Sequence, residues 1–342
     1  MSGVRDPQPD TNPAPMPQPD AKTSLTRISL LMPTRGRREQ AARCLESLVT
    51  TASHPDALEV VVYVDDDDPE SHALDCRDIA FRKIIGPQSN LGALNTACLK
   101  RTTGGIIGAI NDDVVVHTHG WDDRLRAIHA RFPDGIYLAY PNDLFLGERM
   151  ASFPFMPRTA CDALGDPFPA EYPGDFQDHH LLDLFQRLKH RGHDRIVYME
   201  DVVMEHLHVR FGNGKGDPDR YNGRALGEGD NVFLAFHPHR KRLTRRLQAV
   251  IEKKPLPPLP APPHIRPLPE SNLVMGFRLT ASFLLDGSLP PRWRWFLFTF
   301  FGKLYWIKKY RYPTPRWQYT LLKRLVDAVN PSPKSKVGKS GP

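Results

Sequence analysis

Between residues 27 and 140 the chain alternates short apolar runs with segments of helical period, and this alternation restricts the fold more than any other feature of the sequence. RISLLM (27–32), EVVVYV (59–64), FRKII (81–85), IIGAI (106–110) and GIYLAY (135–140) have the length and apolar continuity of buried strands. Between them, Ala41, Cys44, Leu45, Leu48 and Val49, then Leu91, Leu94 and Cys98, then Trp121, Leu125 and Ile128 recur at helical spacing. Pro33 is expected to end the first strand, and Gly104-Gly105 to stop the second helix. Strands alternating with helices pair in parallel through crossovers. Strands apolar along their whole length belong to sheets covered on both faces. The expected fold is α/β: a doubly wound, mostly parallel sheet flanked by helices.

In such sheets ligands bind beyond the carboxyl ends of the strands. Two acidic clusters fall there. Asp65 to Asp68 follow one strand, and Asn111-Asp112-Asp113 follow another, inside GGIIGAINDDVVVHTHGW (104–121). Adjacent carboxylates with no cation near them in sequence suit a hard divalent ion, Mg²⁺ or Mn²⁺, which bridges a carboxylate to phosphate oxygens. The alternative is a solvated turn in which Asp112 or Asp113 accepts from backbone N–H groups.

Charge divides the chain. Residues 240–342 hold 21 Lys and Arg against 4 Asp and Glu, whereas residues 1–239 hold 25 against 35. The basic part is expected to meet something anionic. The segment 291–317, PRWRWFLFTFFGKLYWIKKYRYPTPRW, mixes aromatic and cationic residues. Docking of its aromatics on the rest of the protein is the first reading, because so much aromatic surface is seldom left exposed. Peripheral membrane contact is the second, and nucleic acid, through stacking and phosphate contacts, the third. The cysteines, Cys44, Cys76, Cys98 and Cys161, lack metal-type spacing and read as reduced thiols of a cytoplasmic protein, possible contact with a membrane's inner face aside. No secretory signal pattern opens the sequence, and no run is long and apolar enough to span a bilayer.

Residues 1–24 are expected to be a disordered extension, 25–235 a catalytic domain, 236–330 a Pro-rich linker (253–269) with the basic aromatic region, and 331–342 a disordered tail. Within the catalytic part, 152–168 reads as irregular and aromatic-lined, with Phe153 and Phe155 open either to sugar stacking or to plain packing. Leu181, Leu182, Phe185 and Leu188 mark a helix that begins near Asp178. The strand-like stretch 195–208 turns His206 and His208 to one face. The Gly-rich stretch 212–230 reads as a mobile loop.

Four segments in order, ISLLMPTRGRREQAARCLESL, VVYVDDDDPES, SNLGALNTACLKRTTGGIIGAINDDV and GWDDRL, resemble family-two glycosyltransferases of the GT-A fold over roughly residues 27–210. The resemblance implies a GT-A-type sheet, a nucleotide-sugar donor with a UDP-sugar first among them, a divalent metal (Mn²⁺ or Mg²⁺), inversion at the anomeric carbon and a glycan or other hydroxyl acceptor. By position it implies that Pro33, Thr34 and Arg35 border the nucleotide, with Asn90 and Asn111-Asp112 on the donor side. Asp65 or Asp66 would hydrogen-bond the base. Asn111-Asp112-Asp113 takes the place of the family's Asp-x-Asp motif, with Asp113 as the metal-binding residue and Asn111 where the first Asp stands. His206 or His208 would complete the metal shell. Asp178 of GDFQDHH would be the general base, with Asp175 its nearest substitute; the bland reading of Asp178 is a helix N-cap. A nucleotidyltransferase and a non-catalytic module binding polyanions or membranes are the alternatives.

Overall fold

The computed structural model describes residues 25–207 and 229–310. The expected 1–24 extension, His208, the 212–228 part of the Gly-rich loop and everything after 310 lie outside the described residues. Eight strands form one mixed, mostly parallel sheet in the order β3-β2-β1-β4-β7-β6-β8-β5. They are β1 (Ile28–Thr34), β2 (Leu58–Asp65), β3 (Ala80–Gly86), β4 (Ile106–Ala109), β5 (Val114–Val116), β6 (Leu138–Asn142), β7 (Phe155–Pro157) and β8 (Ile196–His206). β3, β2, β1 and β4 run parallel, linked through α1 (Arg38–Thr51) and α2 (Leu91–Leu99).

The period of two along the strands sorts side chains onto two cores. Ile28, Leu30 and Met32 of β1 join Val60, Val62 and Val64 of β2, Ala41, Cys44, Leu45 and Leu48 of α1, and Trp121 and Leu125 of α3 (Trp121–Ala130). Leu31, Val61 and Tyr63 point the other way, to Cys98 of α2 and to helices α4 (Arg158–Leu164) and α5 (Gln177–His190). β3 is one of the two edge strands and is only half-buried.

Several boundaries differ from expectation. Pro33 lies inside β1, paired with Tyr63. The Leu31 carbonyl accepts from Ile110, so Pro33, two residues on, turns its nitrogen to the same side, where β4 has already ended and no donor is needed. The second helix ends at Leu99, ahead of Gly104-Gly105. The strand expected from 135 begins at Leu138, after a turn at Gly135 (φ +67°). Residues 152–168 hold β7 and α4, and β7 lies antiparallel between β4 and β6. Gly108 lets it in: a Cβ there would stand 2.5 Å from the Phe155 ring.

The C-terminal part contains α6 (Asp230–Ala235), α7 (His237–Ile251), α8 (Asn272–Leu279) followed by a π-helical turn at Thr280–Leu284, and α9 (Pro291–Tyr310). Leu243 and Leu247 of α7, and Trp293, Leu297, Phe301 and Tyr305 of α9, belong to the same buried cluster as α5 and the sheet. A buried ionic network ties these pieces together. Asp183 accepts from Arg187 (2.8 Å), Arg240 (2.7 Å) and Trp293 (2.9 Å), and Arg187 reaches on to Asp286 (2.6 Å). Among the described residues no helix is long and apolar enough to cross a membrane.

Candidate active site

The strand order reverses at β1, between β2 and β4, and an open α/β sheet leaves its binding crevice at such a point. The loops after β1 and β4 meet there. Thr34 donates to Asp112 (2.8 Å), and Arg37 donates to Asp112 (2.9 Å) and Asp113 (3.3 Å). Gly36 takes φ +58°, a turn that favours glycine, and its N–H donates to Asp68 (2.5 Å). Arg35, on the other side of that glycine, bridges Asp65 (2.6 Å) and, with both guanidinium arms, Asp67 (2.7 and 2.8 Å). The two acidic clusters therefore share one rim, each set against an arginine of the β1 loop.

Burial pushes the Asp112 carboxyl up, and the Asp113 charge adds to this while Arg37 and Thr34 oppose it. Burial also works against a charged Asp68, but the Gly36 and Ser71 hydrogen bonds hold it below its usual value. Asp65 is 2% exposed, and its Oδ1 is buried without a hydrogen-bond partner among the described residues. A carboxyl oxygen in that condition is an acceptor that a ligand N–H or O–H would satisfy. Asp66 is exposed and its N–H continues the β2–β3 ladder to Gly86 (2.7 Å).

Pairing of β5 with β8 sets Val114 opposite His206, and the Leu207 N–H donates to the Asp113 carbonyl (2.9 Å). His206 Nε2 thereby comes to 3.3 Å from Asp113 Oδ1, the two side chains 14% and 7% exposed. The His206 ring lies edge-on to Phe153 at 5.1 Å, and the His206 backbone N–H donates to the Asp143 carbonyl (3.3 Å). A carboxylate oxygen beside an imidazole nitrogen, both nearly buried and delivered by the turn before β5 and the end of β8, fits a borderline divalent ion such as Mn²⁺. Among the described residues no third His, Cys, Asp or Glu joins them. An ion held by these two protein donors would take its remaining ligands from phosphate oxygens and water.

The start of α5 is joined to α2 by a side-chain hydrogen bond. Asn90 caps α2 by accepting from Ala93 (2.9 Å), which gives its side chain a structural task. Asn95, one turn further, donates to Gln177 (3.2 Å). Asp178 is not the N-cap: Phe176 holds that position at φ 72°, and Asp178 lies within the first helical turn. A helix N-terminus favours its ionised form. Burial works to raise the Asp178 carboxyl, and His179 outweighs it by its charge and by backbone and ring hydrogen bonds of 2.8 and 2.9 Å, leaving the carboxyl below its usual range. Asp178 keeps 30% of its side chain exposed.

Other candidates take structural roles. Asn111 is half-buried, and its carbonyl accepts from Cys44 (3.6 Å). Phe153 and Phe155 are fully buried and offer no face to a sugar. Trp121 is core, donating to Leu48 (3.4 Å), and Asp122 of GWDDRL accepts from the Ser53 and His54 N–H groups. His180 is a neutral core residue, depressed by burial and bonded to the Tyr172 hydroxyl (3.0 Å). His117 pairs at the surface with Glu205 (2.8 Å). Sequence reasoning missed Arg37, although its place in the turn after the first strand put it on the rim. It also missed Asp143, whose Oδ1 accepts from Phe145, Leu146 and Gly147 and shapes the loop beside His206.

By sequence, the chain matches no family model and no curated protein. In shape it is similar to several solved structures. Mannosyltransferase PcManGT from Pyrobaculum calidifontis, in complex with GDP-Man and Mn²⁺, aligns at 13% identity and TM-score 0.43, over 90% of this chain and 82% of that one. S. aureus TarS aligns at 12% identity and TM-score 0.43, over 66% of this chain, which spans 43% of the length of TarS. Glucosyl-3-phosphoglycerate synthase from Mycobacterium tuberculosis, with Mn²⁺, UDP and phosphoglyceric acid, aligns at 15% identity and TM-score 0.38, over 67% of this chain and 80% of that one.

Proposed function

We propose that this protein is a metal-dependent, inverting glycosyltransferase that moves a sugar from a nucleotide-sugar, a UDP-sugar first, to an acceptor hydroxyl. The observation that carries this reading is the pairing of Asp113 with His206 at 3.3 Å on the rim where the β1 and β4 loops meet. Asp65 Oδ1, without a hydrogen-bond partner among the described residues, accepts an N–H or O–H of the nucleoside, and Pro33, Thr34 and Arg35 border it. Asp113 and His206 would hold Mn²⁺ or Mg²⁺, which would supply positive charge to neutralise the leaving diphosphate. Asp178 takes the proton of the acceptor hydroxyl as that oxygen bonds to the anomeric carbon and the bond to the diphosphate oxygen breaks. Arg37 keeps the adjacent Asp112 and Asp113 together despite their mutual repulsion.

Binding and turnover test this separately. Manganese titrated into the full-length protein with UDP present should show one site in its paramagnetic resonance spectrum. Asp113→Ala and His206→Ala should each weaken it by about 10- to 100-fold, a loss on the scale of removing a ligand or its support. Unchanged manganese affinity in both variants would remove Asp113 and His206 from the metal site. Release of a nucleoside diphosphate identifies glycosyl transfer, whereas pyrophosphate identifies a nucleotidyltransferase.

A further inference from the structure

The helix α9 is apolar on two sides. Trp293, Leu297, Phe301 and Tyr305, each four residues from the last, are buried in the body of the protein. The outward side carries Trp295 (62% exposed), Trp306 (50%) and Tyr310 (43%). A helix with apolar residues all round has apolar surroundings on both sides, and the protein supplies only one of them. α8 repeats the pattern. Met275 and Leu279 are buried, while Leu273 (86% exposed), Val274 (54%) and Phe277 (75%) face outward. The first turn of α8 lies beside the last turn of α9, where Asn272 donates to the Tyr310 hydroxyl (2.8 Å), and Leu279 approaches Gly302. The two helices form an antiparallel pair with inner rows against the body and outer rows away from it. Seven of the twelve large apolar side chains exposed among the described residues lie in this pair and the turn joining it.

Charge selects what covers this face. Residues 272–310 contain six cations, Arg278, Arg292, Arg294, Lys303, Lys308 and Lys309, and one acid, Asp286. Asp286 is buried and paired with Arg187 and His237, so the outer face carries no exposed carboxylate. We propose that the α8–α9 pair lies flat on an anionic bilayer, with Trp295, Trp306 and Phe277 among the headgroups and Arg292 and Lys303 on lipid phosphates. Aromatic rings and long cationic side chains together match that boundary. Phe296 and Phe300 of the same helix stack on His179, with ring centroids 6.3 and 5.2 Å away, and His179 follows Asp178. The bilayer-facing helix therefore also packs on the histidine that holds the general base. On the glycosyl-transfer reading given above, the acceptor hydroxyl belongs to a molecule anchored in that membrane.

The test is co-sedimentation of the full-length protein with vesicles of phosphatidylcholine alone and of phosphatidylcholine mixed with phosphatidylglycerol. Binding is expected only to the anionic vesicles. It should fall about tenfold or more in Trp295→Glu/Trp306→Glu and by a smaller factor in Lys303→Glu. Both variants should keep the wild-type thermal midpoint and the wild-type rate of donor hydrolysis. Absence of binding to anionic vesicles, or equal binding by the double variant, overturns the proposal. A wild-type dimer in light scattering that becomes a monomer in the double variant, with lipid binding unchanged, overturns it in favour of self-association. Hydrolysis and vesicle binding are separate readouts: loss of donor turnover with lipid binding intact counts against the transferase reading alone.

Discussion

The Asp178 carboxylate accepts from the backbone N–H and the ring Nδ1 of His179, and the His179 ring is stacked in turn against Phe296 and Phe300. His179 thus acts on the candidate base through charge as well as position. Replacing His179 with Gln removes the charge, so the Asp178 carboxyl should rise toward the ordinary value of about 3.9. A base with a raised pKa is protonated at higher pH, so the acidic limb of kcat/KM should move to higher pH while the rate at neutral pH changes less. A limb at the wild-type position would mean that Asp178 is not the titrating base or that His179 does not set it. Asp178→Asn should lower transfer by about 10²- to 10⁴-fold, the range for loss of a general base, with the thermal midpoint retained. That the 65–68 and 111–113 acidic clusters share one rim was legible because both follow strands of an α/β sheet, whereas the roles expected of Asp113 and Asp178 came from the family resemblance. Arg37 was hidden because its partners, Asp112 and Asp113, become neighbours only when β4 takes its place beside β1.

Among the elements, α2 carries the tightest fit. A Cβ on Gly92 would stand 2.2 Å from the Pro169 carbonyl oxygen, a backbone atom that cannot swing aside. Gly92→Ala must therefore push α2 away from the 169–170 segment, and with it strain the Asn95–Gln177 bond that seats the start of α5. Overpacking of this kind costs about 1–3 kcal/mol, which should appear as a lower urea midpoint at unchanged slope and as reduced transfer. A neutral Gly92→Ala would show that the α2–loop contact is looser than the structure has it. The five apolar runs before residue 142 could be read as strands because each is apolar along its length, and three of the four gaps between them carry a helical period. β5 and β7 could not, since strands of three residues show no period of their own. They exist because neighbours already in place offer them a ladder: β8 for β5, and β4 with β6 for β7.

At the scale of the whole molecule, one buried cluster runs from β1 and β2 through α5 and α7 to α9, and the Asp183–Arg187–Arg240–Asp286 network lies within it. Composition draws a division near residue 235, where the charge balance changes, and the buried cluster contains residues from both sides of it. Asp183→Ala leaves Arg187 and Arg240 buried against fewer partners, and breaking a buried pair from one side costs about 3–5 kcal/mol. Because the cluster is shared, the loss should lower a single unfolding transition; two separate transitions, one from the C-terminal helices, would show two independently folding units. Acid probes the same network. Burial opposes charge on Asp183 and Asp286, but Arg187 with Arg240, and His237 with Arg187, hold both carboxyls well below their usual range in the folded state. A depressed folded pKa adds stability that is present above the unfolded value of about 3.9 and is lost as pH falls below it. The unfolding midpoint should therefore hold between about pH 7 and 5 and drop steeply below about pH 4. In Asp183→Ala the drop should be shallower, since one of the two linked protons no longer has a site to bind, and an equally steep fall in the variant would place the acid sensitivity elsewhere.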